Sequence, residues 1–281
     1  GVDREQIVGV GLATPGPMDI ASGIITTPFN LPGWRHKNVR DILAGFVDRP
    51  VSFANDAGAA AFGEYWAGSG SDFESIILIT LGTGVGGGII INDLSIDGHH
   101  SHGAEIGHMM VDPSENARLC SCGKRGHLEA YASATAVVAR CQELLPERKN
   151  SLVARMIEGG GRLSTLMIYQ AAERKDAFAQ ELIDEAAYYL AIGVASLVHT
   201  VDPEAVLIGG AMTFGGDKSE VGLNFRESIR RQAAERSLPT LAEKLRVEFA
   251  ELGSDAGFVG AAGLAKRDHD RHSKKNPIQQ I

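Results

Sequence analysis

Apolar positions along the chain follow two rhythms. Short apolar runs at residues 7–12, 51–54, 75–81 and 205–208 have the length and β-branched content of buried strands. Each stops at a turn-forming or polar group: Ala-Thr-Pro15-Gly16-Pro17, Asn55-Asp56, Gly82-Thr83-Gly84 and Gly209-Gly210. Weaker runs predict further strands at 23–26, 87–91, 109–111 and 245–250. Helical spacing governs 57–67, 127–145, 163–174, 176–200, 220–236 and 255–266. Within 176–200, Asp176 is placed to cap the first turn, and Phe178, Leu182, Ile183, Ala186, Leu190, Val194 and Leu197 share one face. Residues 28–34, with two prolines and a glycine, predict an ordered loop. Gly-Ser-Gly-Ser-Asp at 68–72 reads as a linker, the histidine-rich stretch 97–108 as a polar loop, and the chain beyond Arg267 as a flexible tail. Strands alternating with helices, and 75–91 as a hairpin, predict an α/β fold with a mixed sheet.

Composition narrows the class. The 281 residues hold 27 Lys+Arg against 35 Asp+Glu, a formal net charge of −8, with 44% hydrophobic residues. That length suits one large or two medium domains. An acidic chain without a basic stripe argues against a nucleic-acid partner. No uninterrupted apolar run approaches the ~18 residues of a membrane helix, and residues 1–5 carry no signal-peptide pattern. Three cysteines point to a reducing compartment, so a cytoplasmic location is expected. The absence of an initial Met reads as a fragment or a processed product. Glycine is the outlier: 34 residues, clustered at 82–88, at 209–210 and around 257–263. Clustered glycine admits a close backbone approach, to a phosphate or to a packed element.

Three groups of residues could carry chemistry. Gly82, Gly84 and Gly87 satisfy G-x-G-x-x-G, but that dinucleotide signature needs a helix next, and Ile89-Ile90-Ile91 predicts a strand. What remains is either a hairpin presenting N–H groups and Thr83 to a phosphate or a hairpin with no ligand. Cys120, Cys122 and His127 lie within eight residues, and His108 can supply a fourth ligand to a tetrahedral zinc. Cys141, within a helical pattern, reads as a small core residue. Asp56 follows a strand and opens a helix, where it is either an N-cap or a general base kept ionised by the helix N-terminus. Glu105 and Glu129 flank the cysteine loop and, taken singly, read as surface charges.

Together these segments resemble one family. Ala-Glu105-Ile-Gly-His108, followed by Cys120-Ser-Cys122-Gly-Lys-Arg-Gly-His127-Leu-Glu129, is similar to the signature of the ROK (repressor, open reading frame, kinase) sugar kinases. Gly11-Leu-Ala-Thr-Pro15-Gly16-Pro17 and Asn30-Leu-Pro-Gly-Trp34 resemble the sugar-side loops of that family, and residues 51–57 its catalytic segment. Residues 81–88 resemble its second phosphate loop, Ile208-Gly209-Gly210-Ala211 its adenosine motif, and 255–262 its closing helix. The resemblance implies a two-lobed actin-like (ribonuclease H-like) ATPase fold with sugar and ATP in the cleft. Its small lobe would be 1–72 plus the closing helix 254–268, its large lobe 73–253 with the zinc loop, and its flexible tail 269–281. It implies ATP-dependent phosphorylation of a hexose 6-hydroxyl, with glucose first. Kinases of N-acetylmannosamine, N-acetylglucosamine or fructose, and a sugar-responsive transcriptional regulator, are the alternatives. Asp56 would be the base; Gly16, Asn30, Asn55, Asp56, Glu105, His108 and Glu129 would hold the sugar. Gly82, Thr83, Gly84, Gly86, Gly209 and Gly210 would hold ATP with Mg. His108, Cys120, Cys122 and His127 would hold a structural zinc, His108 using one ring nitrogen for zinc and the other for sugar. A homodimer or homotetramer is implied as well. Two departures stand out. His127 occupies a position usually cysteine in the family, and no Asp-x-Gly-x-Thr phosphate motif precedes residue 7. The second departure predicts that the chain as given is inactive.

Overall fold

Why the last helix can lie directly on the first long one is visible in two glycines. A Cβ on Gly63 would overlap the carbonyl oxygen of Ala256, and one on Gly260 would overlap that of Ala59. Only backbones without side chains approach so closely. The computed structural model describes residues 3–28 and 31–275. In chain order its strands and helices are β1 (Val10–Thr14), β2 (Met18–Asp19), β3 (Ile24–Ile25), β4 (Lys37–Asn38), α1 (Val39–Ala44), β5 (Val51–Asn55), α2 (Asp56–Ala67), β6 (Ser75–Leu81), β7 (Val85–Ile91) and β8 (Leu94–Ser95). There follow α3 (Glu129–Ala132), α4 (Ala134–Leu144), α5 (Leu152–Glu158), α6 (Thr165–Glu173), α7 (Ala177–Val201), β9 (Ala205–Gly210), α8 (Glu220–Ala234), α9 (Pro239–Ala242), β10 (Val247–Phe249) and α10 (Ala256–Lys275). The chain divides into two compact units. Unit 1 holds residues 1–78, 88–104 and 251–281, and unit 2 holds 79–87 and 105–250.

In unit 1, β1 and β5 pair in parallel from Val10↔Val51 to Thr14↔Asn55. Gly9 and Gly11 face α10, where a Cβ on Gly11 would overlap the Ala261 backbone. Leu12 and Phe53 face the other way and pack with Met18, Ile25, Ile20 and Val39. The short antiparallel sheet β2-β3-β4 supplies that cluster.

A five-stranded sheet runs in the order β10-β9-β6-β7-β8, with β10 and β9 parallel and β7 and β8 antiparallel. In unit 2, α7 is long and apolar enough, by length and composition alone, to cross a membrane. Its apolar residues, among them Phe178, Leu182, Ile183, Leu190 and Val194, are instead the buried core of the unit. Asp176 caps it, accepting from the Ala179 amide at 2.9 Å, as its position in the sequence predicts. Cys141 is fully buried in α4.

Several expectations are corrected. The predicted helix 127–145 is two helices, because Ser133 turns extended (φ −82°, ψ 161°) and caps α4 through its hydroxyl. The predicted strand 109–111 is only an isolated bridge, Met110↔His127. Residues 68–72 are not a loose linker: Gly68 and Gly70 are buried, and both amides donate to the Glu64 carbonyl. The expected tail is helical as far as Lys275. Residues 73–78 and 88–104 group with unit 1.

Candidate functional site

The first segment to consider is the N-terminus of α2. Asn55 caps it: its Oδ1 accepts from the amides of Ala57 (2.9 Å) and Gly58 (3.2 Å). Asp56 is therefore not the N-cap. It occupies the first helical position, exposed to solvent, and among the described residues its Oδ1 accepts only from the Ala57 amide at 2.9 Å. Because a neighbouring side chain does the capping, the carboxylate of Asp56 is left available. Asn55 keeps its Nδ2, which lies beside Gly16; a Cβ there would sit 3.6 Å away. Asn30, the remaining sugar-side candidate of this unit, lies outside the described residues.

In unit 2 the cysteine loop is shaped by its glycines. Gly123 and Gly126 have φ of +83° and +82°, and a Cβ on Gly126 would overlap the Asp112 carbonyl. Within the loop the Cys120 amide donates to the Lys124 carbonyl (2.7 Å), and the Gly123 amide donates to the Cys120 carbonyl (2.9 Å). Four donor atoms converge, one each from His108, Cys120, Cys122 and His127, all within 4.8 Å of one another. Cys120 Sγ is 3.7 Å from His108 Nδ1, and Cys122 Sγ is 3.2 Å from His127 Nδ1. Ligands on a tetrahedral ion with bonds of about 2.0–2.3 Å stand about 3.3–3.8 Å apart, close to both thiol–imidazole separations, and two thiols with two imidazoles are a donor set of the kind zinc takes. Burial pushes the Cys120 thiol up, and burial with the adjacent His108 pushes His127 down. Metal loading of this set therefore takes the thiol proton and meets a neutral imidazole, which makes it pH-dependent.

The loop rests on a buried phenol that no motif or spacing singles out. Tyr131 Oη accepts from the Arg118 amide (2.8 Å) and donates to Asp112 Oδ2 (2.5 Å). Burial and the Asp112 carboxylate push its pKa up to about 12. The same hydrogen bond, with those of Ser114, holds the Asp112 carboxyl below its ordinary range.

Glu105 is exposed at the start of a 3-10 turn over Ile106–His108, with its carbonyl accepting from the His108 amide at 3.0 Å. Glu129 opens α3, its Oε1 accepting from Ser121 Oγ (2.6 Å) and its Oε2 from the Val85 amide (3.1 Å). Gly82, Thr83 and Gly84 form the turn between β6 and β7, and Gly86 lies in β7. Among the described residues the amides of Thr83 and Gly84 have no protein acceptor, which leaves two adjacent donors in this turn. Gly209 and Gly210 end β9. Gly210 has φ +91° and lies so close to Leu81 that no side chain would fit.

Two further residues matter that neither periodicity nor spacing marks. Thr14 pairs with Asn55 across the strands, and its hydroxyl is buried without a partner among the described residues. Glu64 is fully buried and accepts from the amides of Ser69 (3.0 Å), Glu251 (3.1 Å) and Leu252 (2.7 Å) and from Ser69 Oγ (3.0 Å).

A ROK family model matches residues 2–268. A glucokinase of Halalkalibacterium halodurans is 36% identical over 276 residues, covering 98% of this chain and 81% of that protein. A crystal structure of a ROK family glucokinase from Streptomyces griseus, in complex with glucose and AMPPNP, superposes with a TM-score of 0.75 at 34% identity, covering 92% of this chain and 82% of that one. The xylose repressor of Caldicellulosiruptor bescii is 30% identical, covering 93% of this chain but 63% of its own length. With a family model spanning nearly all of it, the chain belongs to the ROK family and has its actin-like ATPase fold.

Proposed function

We propose that the protein is an ATP-dependent hexose kinase that phosphorylates glucose at the 6-hydroxyl. The observation that carries this reading is Asp56, exposed in the first turn of α2 and relieved of capping by Asn55. Its carboxylate takes the 6-hydroxyl proton as the sugar oxygen attacks the γ-phosphorus. The bond from phosphorus to the bridging oxygen breaks, and ADP leaves with that electron pair. A positioned base contributes roughly 10²–10⁴-fold, and the remainder comes from orientation and charge neutralisation. Asn55 Nδ2, Gly16, Asn30, Glu105, His108 and Glu129 hold the ring hydroxyls. The free amides of Thr83 and Gly84, with Gly82 and Gly86, hold the phosphates, while Gly209 and Gly210 hold the adenosine. Mg accompanies the nucleotide.

The cysteine loop holds a zinc ion through His108, Cys120, Cys122 and His127. A closed shell of four protein ligands shapes the loop and leaves no open position for chemistry. His108 turns Nδ1 toward the thiol of Cys120, which leaves Nε2 for the sugar. The reducing compartment that such thiols need supports a cytoplasmic enzyme.

The repressor relatives motivate a second reading, a sugar-responsive regulator. The kinase reading is favoured by the 36% identity to the Halalkalibacterium glucokinase against 30% to the xylose repressor, together with Asp56, the Gly82–Gly86 turn and Gly209-Gly210. Coupled ADP release from the full-length protein, run over a panel of glucose, fructose, N-acetylglucosamine and N-acetylmannosamine, decides between them. The expected outcome is glucose-dependent turnover that exceeds that of the other sugars; sugar binding without turnover would support the regulator. Metal analysis is expected to return one zinc per chain. Chelation should lower both Tm and glucose affinity, and well under one zinc per chain would remove the metal from this account.

A further inference from the structure

One contact links the two halves of the proposed chemistry within unit 2. The carboxylate of Glu129, assigned above to the sugar, is seated against the glycine turn assigned to the phosphates. Its Oε2 accepts from the Val85 amide at 3.1 Å, and a Cβ on Gly84 would overlap the same oxygen. Its Oε1 is held from the other side by Ser121 Oγ at 2.6 Å, between the two cysteines of the metal loop. The carboxylate is therefore clamped between the phosphate turn and the metal loop.

We infer that Gly84 and Val85 form the seat that orients a sugar-binding carboxylate, so that sugar affinity depends on the phosphate turn even when no nucleotide is bound. The inference rests on the reading of Glu129 as a sugar ligand. Gly84 is the informative position because its φ is not in the left-handed region, so Ala there brings no backbone strain. The added methyl meets the end of a flexible side chain, and the carboxylate is what moves. A charge-assisted hydrogen bond and an aimed acceptor are then lost together. Gly82 supplies the contrast, since a Cβ there meets nothing within 4 Å. Ser121 tests the opposite clamp and lies outside the groups assigned to substrate.

The experiment is a titration of glucose into the full-length protein with nucleotide absent, read by calorimetry, with zinc content and Tm recorded for each variant. Gly84→Ala is expected to raise the glucose Kd by about tenfold or more. Gly82→Ala is expected to change it less than about twofold, and Ser121→Ala to raise it a few-fold with zinc content unchanged. A glucose Kd within about twofold of wild type in both Gly84→Ala and Ser121→Ala overturns the inference while leaving the kinase reading intact. Equal losses in Gly84→Ala and Gly82→Ala overturn it too, because the turn would then act as a whole and not through the carboxylate. If Gly84→Ala does not fold, the Ser121→Ala titration decides alone. A wild-type protein that binds no glucose overturns the kinase reading first, and this inference with it.

Discussion

The two ends of α2 carry two acids eight residues apart, and the fold treats them in opposite ways. Asp56, in the first turn, is exposed and among the described residues has one local hydrogen bond. Glu64, in the third turn, has no exposure and accepts from three backbone amides and a hydroxyl. Two of those amides, on Glu251 and Leu252, belong to the first residues after the chain re-enters unit 1, and the third belongs to the turn that follows α2. One carboxylate is left free to react, and the other is consumed in holding three segments together. Residue type does not separate these roles. What separates them is where the hydrogen-bond capacity goes: a buried acid persists only when its acceptors are satisfied.

The strongest way to break this contrast is to neutralise the exposed end. Asp56→Asn keeps the shape of the side chain and cannot take a proton. It should lower kcat by roughly 10²–10⁴-fold, with glucose Kd changed only a few-fold and Tm nearly unchanged. A fall of less than about tenfold would mean that Asp56 is a ligand or a scaffold and not the base.

At the buried end the outcome should invert. Glu64→Ala leaves the amides of Ser69, Glu251 and Leu252 without acceptors, each of which costs about 1–3 kcal/mol. The expected result is a loss of about 3 kcal/mol or more in chemical denaturation, with the glucose KM of the folded fraction unchanged. A wild-type stability in this variant would show that water replaces the carboxylate and that the anchoring is not needed.

A smaller effect sharpens the comparison from unit 2, where the buried phenol of Tyr131 plays the part that Glu64 plays in unit 1. Its folded-state pKa, pushed up to about 12, lies above the ordinary value of 10.0. The stability it contributes is complete below pH 10 and is lost as the pH rises toward 12. Tyr131→Phe should cost about 1–2 kcal/mol at neutral pH, and its stability should fall less steeply than that of wild type between pH 10 and 12. Parallel pH profiles would mean that the phenol does not hold the cysteine loop.

Much of the architecture was legible because its causes are local. Asp176 before an apolar helix repeat announced α7, and the short β-branched runs marked β1, β5, β6 and β9 to within a few residues. Where the prediction missed, the deciding contact was a polar one that apolar periodicity does not register. Ser133 interrupts an otherwise helical run by capping α4. The Gly-Ser-rich stretch 68–72 looks like a linker, but the side chain of Glu64 orders it. The polar end of α10 has no apolar repeat to announce it. It is fastened by Arg267 and Arg271, both donating to the Asp93 carbonyl.

The candidate chemistry divides along the same line. The sequence by itself determined the donor set, because two thiols and an imidazole within eight residues, plus His108, are close enough along the chain for a glycine loop to gather them. It also determined that Asp56 stands where a strand becomes a helix. Only the tertiary structure decided that Thr14 buries its hydroxyl beside Asn55 and that Glu129 is clamped between Val85 and Ser121. The physical reason is the range of the interactions. Caps, turns and nearby ligands are fixed by a few bonds of chain, whereas the partner of a carboxylate is whatever amide the fold brings to it, here 44 residues away along the chain for Glu129 and 187 or 188 for Glu64.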